Sequence, residues 1–385
     1  MKLGVLTGGG DCPGLNAVLR AVVKTAINDF DMSIIGFRDG YEGMILNNYI
    51  SLDKRAVSGI LTLGGTILGT SNQADPFNFP ILQKEEYIYL DRSSELVANY
   101  ERLGLDGLIA IGGDGTMAAS ARLCELGINI VGVPKTIDND LFGTDQTFGF
   151  DSALVTATEA VDKIHTTAQS HHRVMIIEVM GRYAGWLALT SGLAGGGDII
   201  LIPEIPYDVA EVCDKIKERN RQGKNFSIII IGEGAKPEGG DMVVKRRIET
   251  SPDAIRLGGI SHQLAAQIEG LTRLETRVTI LGHLVRGGSP TAYDRLLGTR
   301  FGSEAVRLAA DNQFGRLVVL KGADVKSIPM ADAAGKVRTV PLNSPYIAIA
   351  QSLGISLGVS AERLEELAAS AAKENVNRDA EEISS

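Results

Sequence analysis

Three cysteines in 385 residues, at positions 12, 124 and 213, share no CxxC spacing. They exclude a disulfide framework and a cysteine-based zinc site, and they suit a reducing cytosol. The histidines include no HxxxH pair, the helical spacing of a zinc site. Basic residues are outnumbered, 38 Lys plus Arg against 47 Asp plus Glu, for a net charge of −9. That balance argues against a broad footprint for DNA or RNA. No apolar run approaches the ~20 residues of a membrane span; Ile228-Ile229-Ile230-Ile231 is typical of those present. The first glycines come too early for a secretory leader, so a cytoplasmic location is expected. Repeats, heptad runs and low-complexity tracts are missing as well.

Glycine is abundant, 45 residues against a usual share of ~7%, with no collagen-like period. The glycines cluster at 8–10, 64–65, 112–113, 195–197 and 287–288, between apolar runs, where backbone can approach a ligand closely. Strands are expected at 3–7, 33–37, 108–111, 128–133, 174–179, 199–202, 227–231, 278–281 and 317–320. Helices are expected at 15–30, 117–125, 152–168, 207–222 and 260–269, with another near 361–372. This alternation predicts an α/β fold with mainly parallel sheets. Continuous apolar strands imply that both sheet faces are covered. Ligands in such sheets bind beyond the carboxyl ends of the strands, where the Gly-rich and Asp-rich loops fall. The length predicts two domains or one bilobed unit, with a change near residues 145–150. The polar stretch 236–253 reads as an excursion loop, and the tail from Lys373 as solvated or frayed.

Gly8-Gly9-Gly10-Asp11-Cys12-Pro13-Gly14-Leu15-Asn16 joins a strand to a helix. Consecutive N–H groups at a helix N-terminus suit a phosphate; the same residues also suit a tight turn. The Gly-Lys-Ser/Thr of a Walker A loop does not follow, and Cys12 reads as a small loop residue. Gly112-Gly113-Asp114-Gly115-Thr116 repeats the strand–loop–helix pattern. There Asp114 can hold Mg2+ against phosphates or cap its helix. Pro134-Lys135-Thr136-Ile137-Asp138-Asn139-Asp140 follows the next strand. Two carboxylates two residues apart can divide labour, one taking a proton from a hydroxyl and one sitting near a metal. An Asx-turn is the structural alternative. A cationic set stands beside apolar strands: His171-His172-Arg173, Met180-Gly181-Arg182, Arg277 and His283-Leu284-Val285-Arg286. In an acidic chain, such cations point to an anionic small molecule.

These motifs, in this order, resemble the 6-phosphofructokinase family from residue 3 to about residue 325. The segments Gly-Gly-Asp-Cys-Pro-Gly, Gly-Gly-Asp-Gly-Thr, Pro-Lys-Thr-Ile-Asp-Asn-Asp, Glu-Val-Met-Gly-Arg-Tyr-Ala-Gly and Gly-His-Leu-Val-Arg-Gly-Gly-Ser-Pro carry the resemblance together. It implies two Rossmann-like lobes with the active site in the cleft between them. The donor lobe would be 1–149 plus about 285–334. The fructose 6-phosphate lobe would be about 150–284 plus 335–385, with a C-terminal extension. It implies ATP-dependent phosphorylation of the 1-hydroxyl of fructose 6-phosphate in glycolysis, with Mg2+ as cofactor. It also implies a homo-oligomer, usually a homotetramer. Asp138 matches the proton acceptor, and Thr136 and Asp140 its partners. Asp114 matches the Mg2+-associated carboxylate, with Asp140 the second acid near the metal. Gly10, Gly112, Gly113, Asp114, Gly115 and Thr116 match the donor phosphate loops. Met180, Gly181, Arg182 and Glu233 match sugar contacts, beside Thr136, Ile137 and Asp138, and Arg182 also offsets charge on the moving phosphoryl group. His283, Leu284, Val285 and Arg286 match the 6-phosphate segment, joined by Arg173 and Arg277 from a neighbouring subunit.

The chain departs from the family in places. Asn72 stands where many bacterial ATP enzymes carry an Arg that reaches the phosphates. Gly115 leaves room for a nucleotide, whereas pyrophosphate-using relatives have Asp there; Lys135, in contrast, is what those relatives carry. Weighting Gly115 favours ATP, with pyrophosphate as the alternative donor. The family's basic effector pocket keeps Arg20, Lys24, Lys54 and Lys224. His165, Gln222 and Asn225 replace cations there, and Asp198 stands for an expected acid; the resemblance implies a phosphorylated or nucleotide effector. An NAD kinase would explain 112–116 but not 134–140 together with His283 and Arg286. A non-catalytic nucleotide-binding subunit would be expected to have lost Asp138 or Asp114.

Overall fold

The computed structural model describes residues 1–84, 86–247 and 255–384. Its strands, in chain order, begin with β1 Lys2–Thr7, β2 Ser33–Phe37, β3 Tyr49–Leu52, β4 Phe79–Gln83, β5 Glu86–Leu90, β6 Gly107–Gly112, β7 Ile130–Thr136 and β8 Phe148–Gly149. They continue with β9 Val174–Val179, β10 Ile199–Leu201, β11 Ser227–Gly232, β12 Val244–Arg247, β13 Ile255–Leu257, β14 Thr276–Ile280, β15 Arg316–Lys321 and β16 Asp324–Pro329. The chain divides into two compact units. One holds Met1–Ala153 and Arg286–Arg338; the other holds Leu154–Arg246, Ile255–Val285 and Thr339–Ser385.

The first unit is built on a sheet of order β16-β15-β7-β6-β1-β2-β3, with β8 pairing beside the end of β7. Its centre is parallel, with Val5 opposite Ile109 and Ile109 opposite Val131. Every residue of β6 is buried, because helices cover both faces of such a sheet. Only the outermost pairs, β2–β3 and β15–β16, are antiparallel. Helix Leu15–Phe30 buries Leu15, Val18, Leu19, Val22, Val23 and Ala26 along its inner face. Fully burying each large aliphatic contributes roughly 1.5–3 kcal/mol. Asp294, fully buried near the start of helix Ala292–Ala310, accepts from the N–H and hydroxyl of Ser152 at 2.8 and 2.6 Å. It thereby satisfies a free N–H in the first turn of helix Phe150–His171.

The second unit has a wholly parallel sheet of order β10-β11-β9-β14. β9 and β11 are buried throughout. Within the polar stretch 236–253, residues 244–247 form β12, which pairs with β13; residues 248–253 lie outside the described residues. The helix expected near 361–372 runs on to Ser384. The tail that reads as frayed therefore continues it, consistent with its Ala, Glu, Lys and Arg, all good helix formers. Short or polar strands such as β3, β5 and β16 have no counterpart in the expected set, since their burial is mixed and their apolar pattern weak. No helix of the described residues is long and apolar enough to cross a membrane.

Candidate active site

In the first unit, the loop after β1, the β6–helix junction and the turn after β7 all lie at the carboxyl edge of one parallel sheet. They are tied together by named bonds. Gly8 N–H donates to Ile111 O at 2.9 Å, Gly9 N–H to Ser71 O at 3.0 Å, and Thr70 Oγ1 to Gly9 O at 2.6 Å. Asn16 is a buried scaffold amide: its Nδ2 donates to Leu63 O and Gly64 O, and its Oδ1 accepts from Ile67 N–H. Thr116 explains two of the glycines. A Cβ at Gly112 would lie 2.3 Å from the Thr116 side chain, and one at Gly8 would lie 2.7 Å from Thr116 Oγ1. Gly115 is different, since a Cβ there would meet nothing within 4 Å. Packing does not require its missing side chain.

Asp114 opens helix Asp114–Glu125, with Gly113 in the N-cap position. It does not cap that helix; Asp114 Oδ1 accepts from Gly335 N–H at 3.1 Å. Burial raises its carboxyl above the ordinary range, and the charge of Asp140 raises it further. Burial likewise raises Asp140, opposed by Thr136, Lys135 and Arg286. The buried Lys135 ammonium donates to Gly10 O, and burial pulls its pKa down. Arg286 Nη1 donates to Asp11 O at 3.1 Å, and a Cβ at Gly10 would lie 2.8 Å from it. Two cations therefore flank the 8–11 loop, while Asn72 is exposed. Cys12 is fully buried, with its thiol pushed up to about 12, so it is no nucleophile.

Thr136 ends β7, and Ile137 is fully buried. The N–H of Asp138 donates to Thr136 Oγ1 at 3.1 Å. Asn139 sits at φ 52° and closes the turn. Thr147 holds it from one side, donating its N–H to Asn139 Oδ1 at 3.0 Å and its hydroxyl to Thr136 O at 2.8 Å. Arg338 Nη1 donates to Asn139 O at 3.0 Å, and its N–H to Asp140 O at 2.7 Å. Thr147, Gly335 and Arg338 stand outside every sequence-expected set. Thr147 sits in an unremarked loop, and the other two lie past the recognisable motifs.

In the second unit, Met180, Gly181 and Arg182 follow β9, Glu233 follows β11, and His283, Leu284 and Val285 follow β14. These are the carboxyl ends of neighbouring strands, so the expected sugar contacts share one sheet edge. Glu233 N–H donates to Val179 O at 2.9 Å, and the Arg182 guanidinium stands 5.6 Å from the Tyr183 ring centre. The sequence gives no hint that Glu204 supports this edge. Its buried carboxylate accepts from Gly185 N–H at 3.0 Å and Val340 N–H at 2.7 Å. Arg173 and Arg277 lie elsewhere. Arg173 precedes β9 and Arg277 is the second residue of β14, at the amino ends of those strands. Six residues of β9 put them roughly 17–20 Å from the Arg182 edge. There they share Glu275, with Arg173 Nε 2.7 Å from its carboxylate and Arg277 on the other oxygen. Asp198 of the expected effector pocket is paired with Arg219 at 2.8 Å, and a His165 ring nitrogen lies 2.8 Å from Gly195 O.

The Phosphofructokinase family profile matches residues 2–309. The chain is 49% identical over 357 residues to ATP-dependent 6-phosphofructokinase 2 of Clostridium perfringens, covering 92% of this chain and 98% of that one. It is also 49% identical over 341 residues to the pyrophosphate–fructose 6-phosphate 1-phosphotransferase of Streptomyces coelicolor, covering 88% and 96%. Among solved structures, Pichia pastoris phosphofructokinase in the T-state superposes with a TM-score of 0.74 at 29% identity, covering 86% of this chain and 35% of that one. With the glycine loops, the acidic turn and the cationic edge arranged as described, and a family match over most of its length, the chain belongs to the phosphofructokinase family.

Proposed function

We propose that this chain is an ATP-dependent 6-phosphofructokinase, which moves the terminal phosphoryl group of ATP to the 1-hydroxyl of fructose 6-phosphate. The observation that carries the choice of donor is the open space at Gly115, which is exposed and where an added Cβ would meet nothing within 4 Å. A nucleotide lying along the 112–116 loop accounts for that space. The name borne by the Clostridium perfringens relative supports the same reading.

In this reading the first unit binds the donor through Gly10, Gly112, Gly113, Asp114, Gly115 and Thr116. The second binds the sugar through Met180, Gly181, Arg182 and Glu233, with Thr136, Ile137 and Asp138 of the first also assigned to the substrate. Asp138 takes the 1-hydroxyl proton as that oxygen attacks the terminal phosphorus and ADP departs. Thr136 and Asp140 orient it. Arg182 and loop N–H groups offset charge on the phosphoryl oxygens. Lys135 and Arg286 bring positive charge to the Gly10 loop, where Asn72 brings none. Asp114 and Asp140 suit Mg2+, which typically takes one or two carboxylates and leaves its other positions to water and phosphates. Both acids are half-buried and raised by burial, and the charge of Asp140 raises Asp114 further, the kind of donor set such an ion relieves. When bound there, Mg2+ neutralises charge on the donor phosphates.

His283 and Arg286 address the 6-phosphate in this reading, with Leu284 and Val285 the apolar residues between them. Arg173 and Arg277 stand at the far strand ends and would serve the sugar bound to a neighbouring copy, which makes a homo-oligomer, of four subunits by family resemblance, part of the active site. A phosphorylated or nucleotide effector and a cytoplasmic location complete the reading. Pyrophosphate is the second donor to consider, because Lys135 favours it and the Streptomyces relative is named for it. The test supplies fructose 6-phosphate and Mg2+ with ATP or pyrophosphate at matched concentrations, and follows fructose 1,6-bisphosphate by a coupled assay. ATP should give the higher kcat/KM. A higher value with pyrophosphate reverses the donor, and no product with either removes the function.

A further inference from the structure

The stretch from Gly335 to Arg338 lies beyond the family profile, which ends at residue 309. It nevertheless touches both acidic elements of the site in the first unit. Gly335 N–H reaches Asp114 Oδ1 at 3.1 Å. Val337 forms an antiparallel bridge with Leu141. Arg338 gives its N–H to Asp140 O at 2.7 Å and its Nη1 to Asn139 O at 3.0 Å. Asn139, at φ 52°, takes the left-handed conformation that Asn adopts readily, so the turn forms from its own sequence and the bonds from outside it decide where it points. Of the bonds to this turn described above, the guanidinium on the Asn139 carbonyl is the one donated by a charged group, the stronger kind.

We propose that Arg338 is a positioning residue for the phosphoryl-transfer site: its guanidinium, on the Asn139 carbonyl, sets the orientation of the turn that presents Asp138 and Asp140. This rests on the reading of Asp138 as proton acceptor. Reaction at that carboxylate requires it to be held close to the 1-hydroxyl, and small misplacements are costly. Substituting Arg338 spares its own N–H bond to Asp140 and the Val337–Leu141 bridge. The turn therefore persists but is held less tightly, and the loss falls on catalysis before it falls on folding.

The experiment compares Arg338→Met, which keeps much of the apolar stem, with Arg338→Lys, which restores a cation, in the full-length protein. Arg338→Met should lower kcat by roughly 10–100-fold and leave KM for both substrates within about threefold. Arg338→Lys should recover most of the lost kcat. The proposal is overturned by a wild-type kcat in Arg338→Met, by a raised KM at unchanged kcat, or by a loss that merely tracks the folded fraction. If Arg338→Met does not fold, Arg338→Gln decides by the same readouts. Asp138→Asn is assayed alongside. If it retains full turnover, the underlying reading fails; if it is inactive while Arg338→Met is fully active, only the positioning role fails.

Discussion

The ammonium of Lys135, at the end of one strand, donates to the carbonyl of Gly10, in the loop that follows another. The bond ties the acidic turn to the glycine loop, and it makes Lys135 part of the loop's support as well as a neighbouring charge. Lys135→Gly should therefore keep ATP-dependent turnover, within about tenfold of wild type, since a charged hydrogen bond contributes only a few kcal/mol. It should also lower Tm, because the Gly10 carbonyl loses its buried partner. Complete loss of ATP use in a folded Lys135→Gly protein would contradict this.

Asp138→Asn keeps the size of the side chain and removes its basicity. It should lower kcat by about 10²–10⁴, the usual contribution of a positioned base, with little change in KM for fructose 6-phosphate. Steady-state kinetics with purified protein decide the matter, and near wild-type turnover would withdraw the assignment.

Gly115→Asp is expected to separate folding from donor use. A Cβ there would meet nothing within 4 Å, and an acid in the first turn of a helix is electrostatically favourable. Its Tm should match wild type, while kcat/KM for ATP falls by at least about 100-fold, since a carboxylate beside a phosphate adds both bulk and repulsion. A folded Gly115→Asp protein with normal ATP kinetics would show that the nucleotide lies elsewhere.

Asp294 gives a prediction in pH. Burial lifts its carboxyl to about 6, against ~3.9 in an unfolded chain. The folded state thus holds this proton more tightly than the unfolded state does. The group's contribution is full below about pH 4 and is lost as pH rises to about 6, by on the order of 2–3 kcal/mol. Asp294→Asn can still accept from Ser152 but cannot ionise. The Tm of the variant minus that of wild type should grow between about pH 4 and pH 7; a constant difference would mean that Asp294 titrates normally.

Arg173 and Arg277 test the oligomer. An Asp138→Ala protein and an Arg173→Ala, Arg277→Ala protein are each expected to be nearly inactive alone. After joint dissociation and reassembly, some activity should return, because a hybrid can combine intact halves of two sites. Hybrids that form yet stay inactive would place both arginines in service of their own chain.

Much of this was legible in the sequence because the site is carried by short local motifs. The 8–16 and 112–116 segments announce strand–loop–helix junctions by glycine alone, and 134–140 places its carboxylates at the end of an apolar run. What stayed hidden depends on contacts across long stretches of chain. Nothing near Arg338 marks it as a partner of Asn139, 199 residues away. Glu204, unmarked in the sequence, meets Gly185 across an intervening helix and strand, 19 residues away. Thr116 belongs by its motif to a phosphate loop, yet its side chain also fills the space that makes Gly8 and Gly112 glycine, a relation that only the packed sheet reveals.

The place of β15 beside β7 has a consequence for synthesis. The two strands are neighbours, yet β7 ends at Thr136 and β15 begins at Arg316. Roughly 180 residues separate them, on the order of 10–40 seconds of translation at about 5–20 residues per second. Throughout that interval the Val131–Gly132 part of β7 lacks its β15 neighbour, although β8 can already pair with Lys135 and Thr136. A ribosome that stalls before residue 316 therefore leaves a nascent protein with its donor loops already made and an apolar strand edge open, a surface that invites chaperones or aggregation.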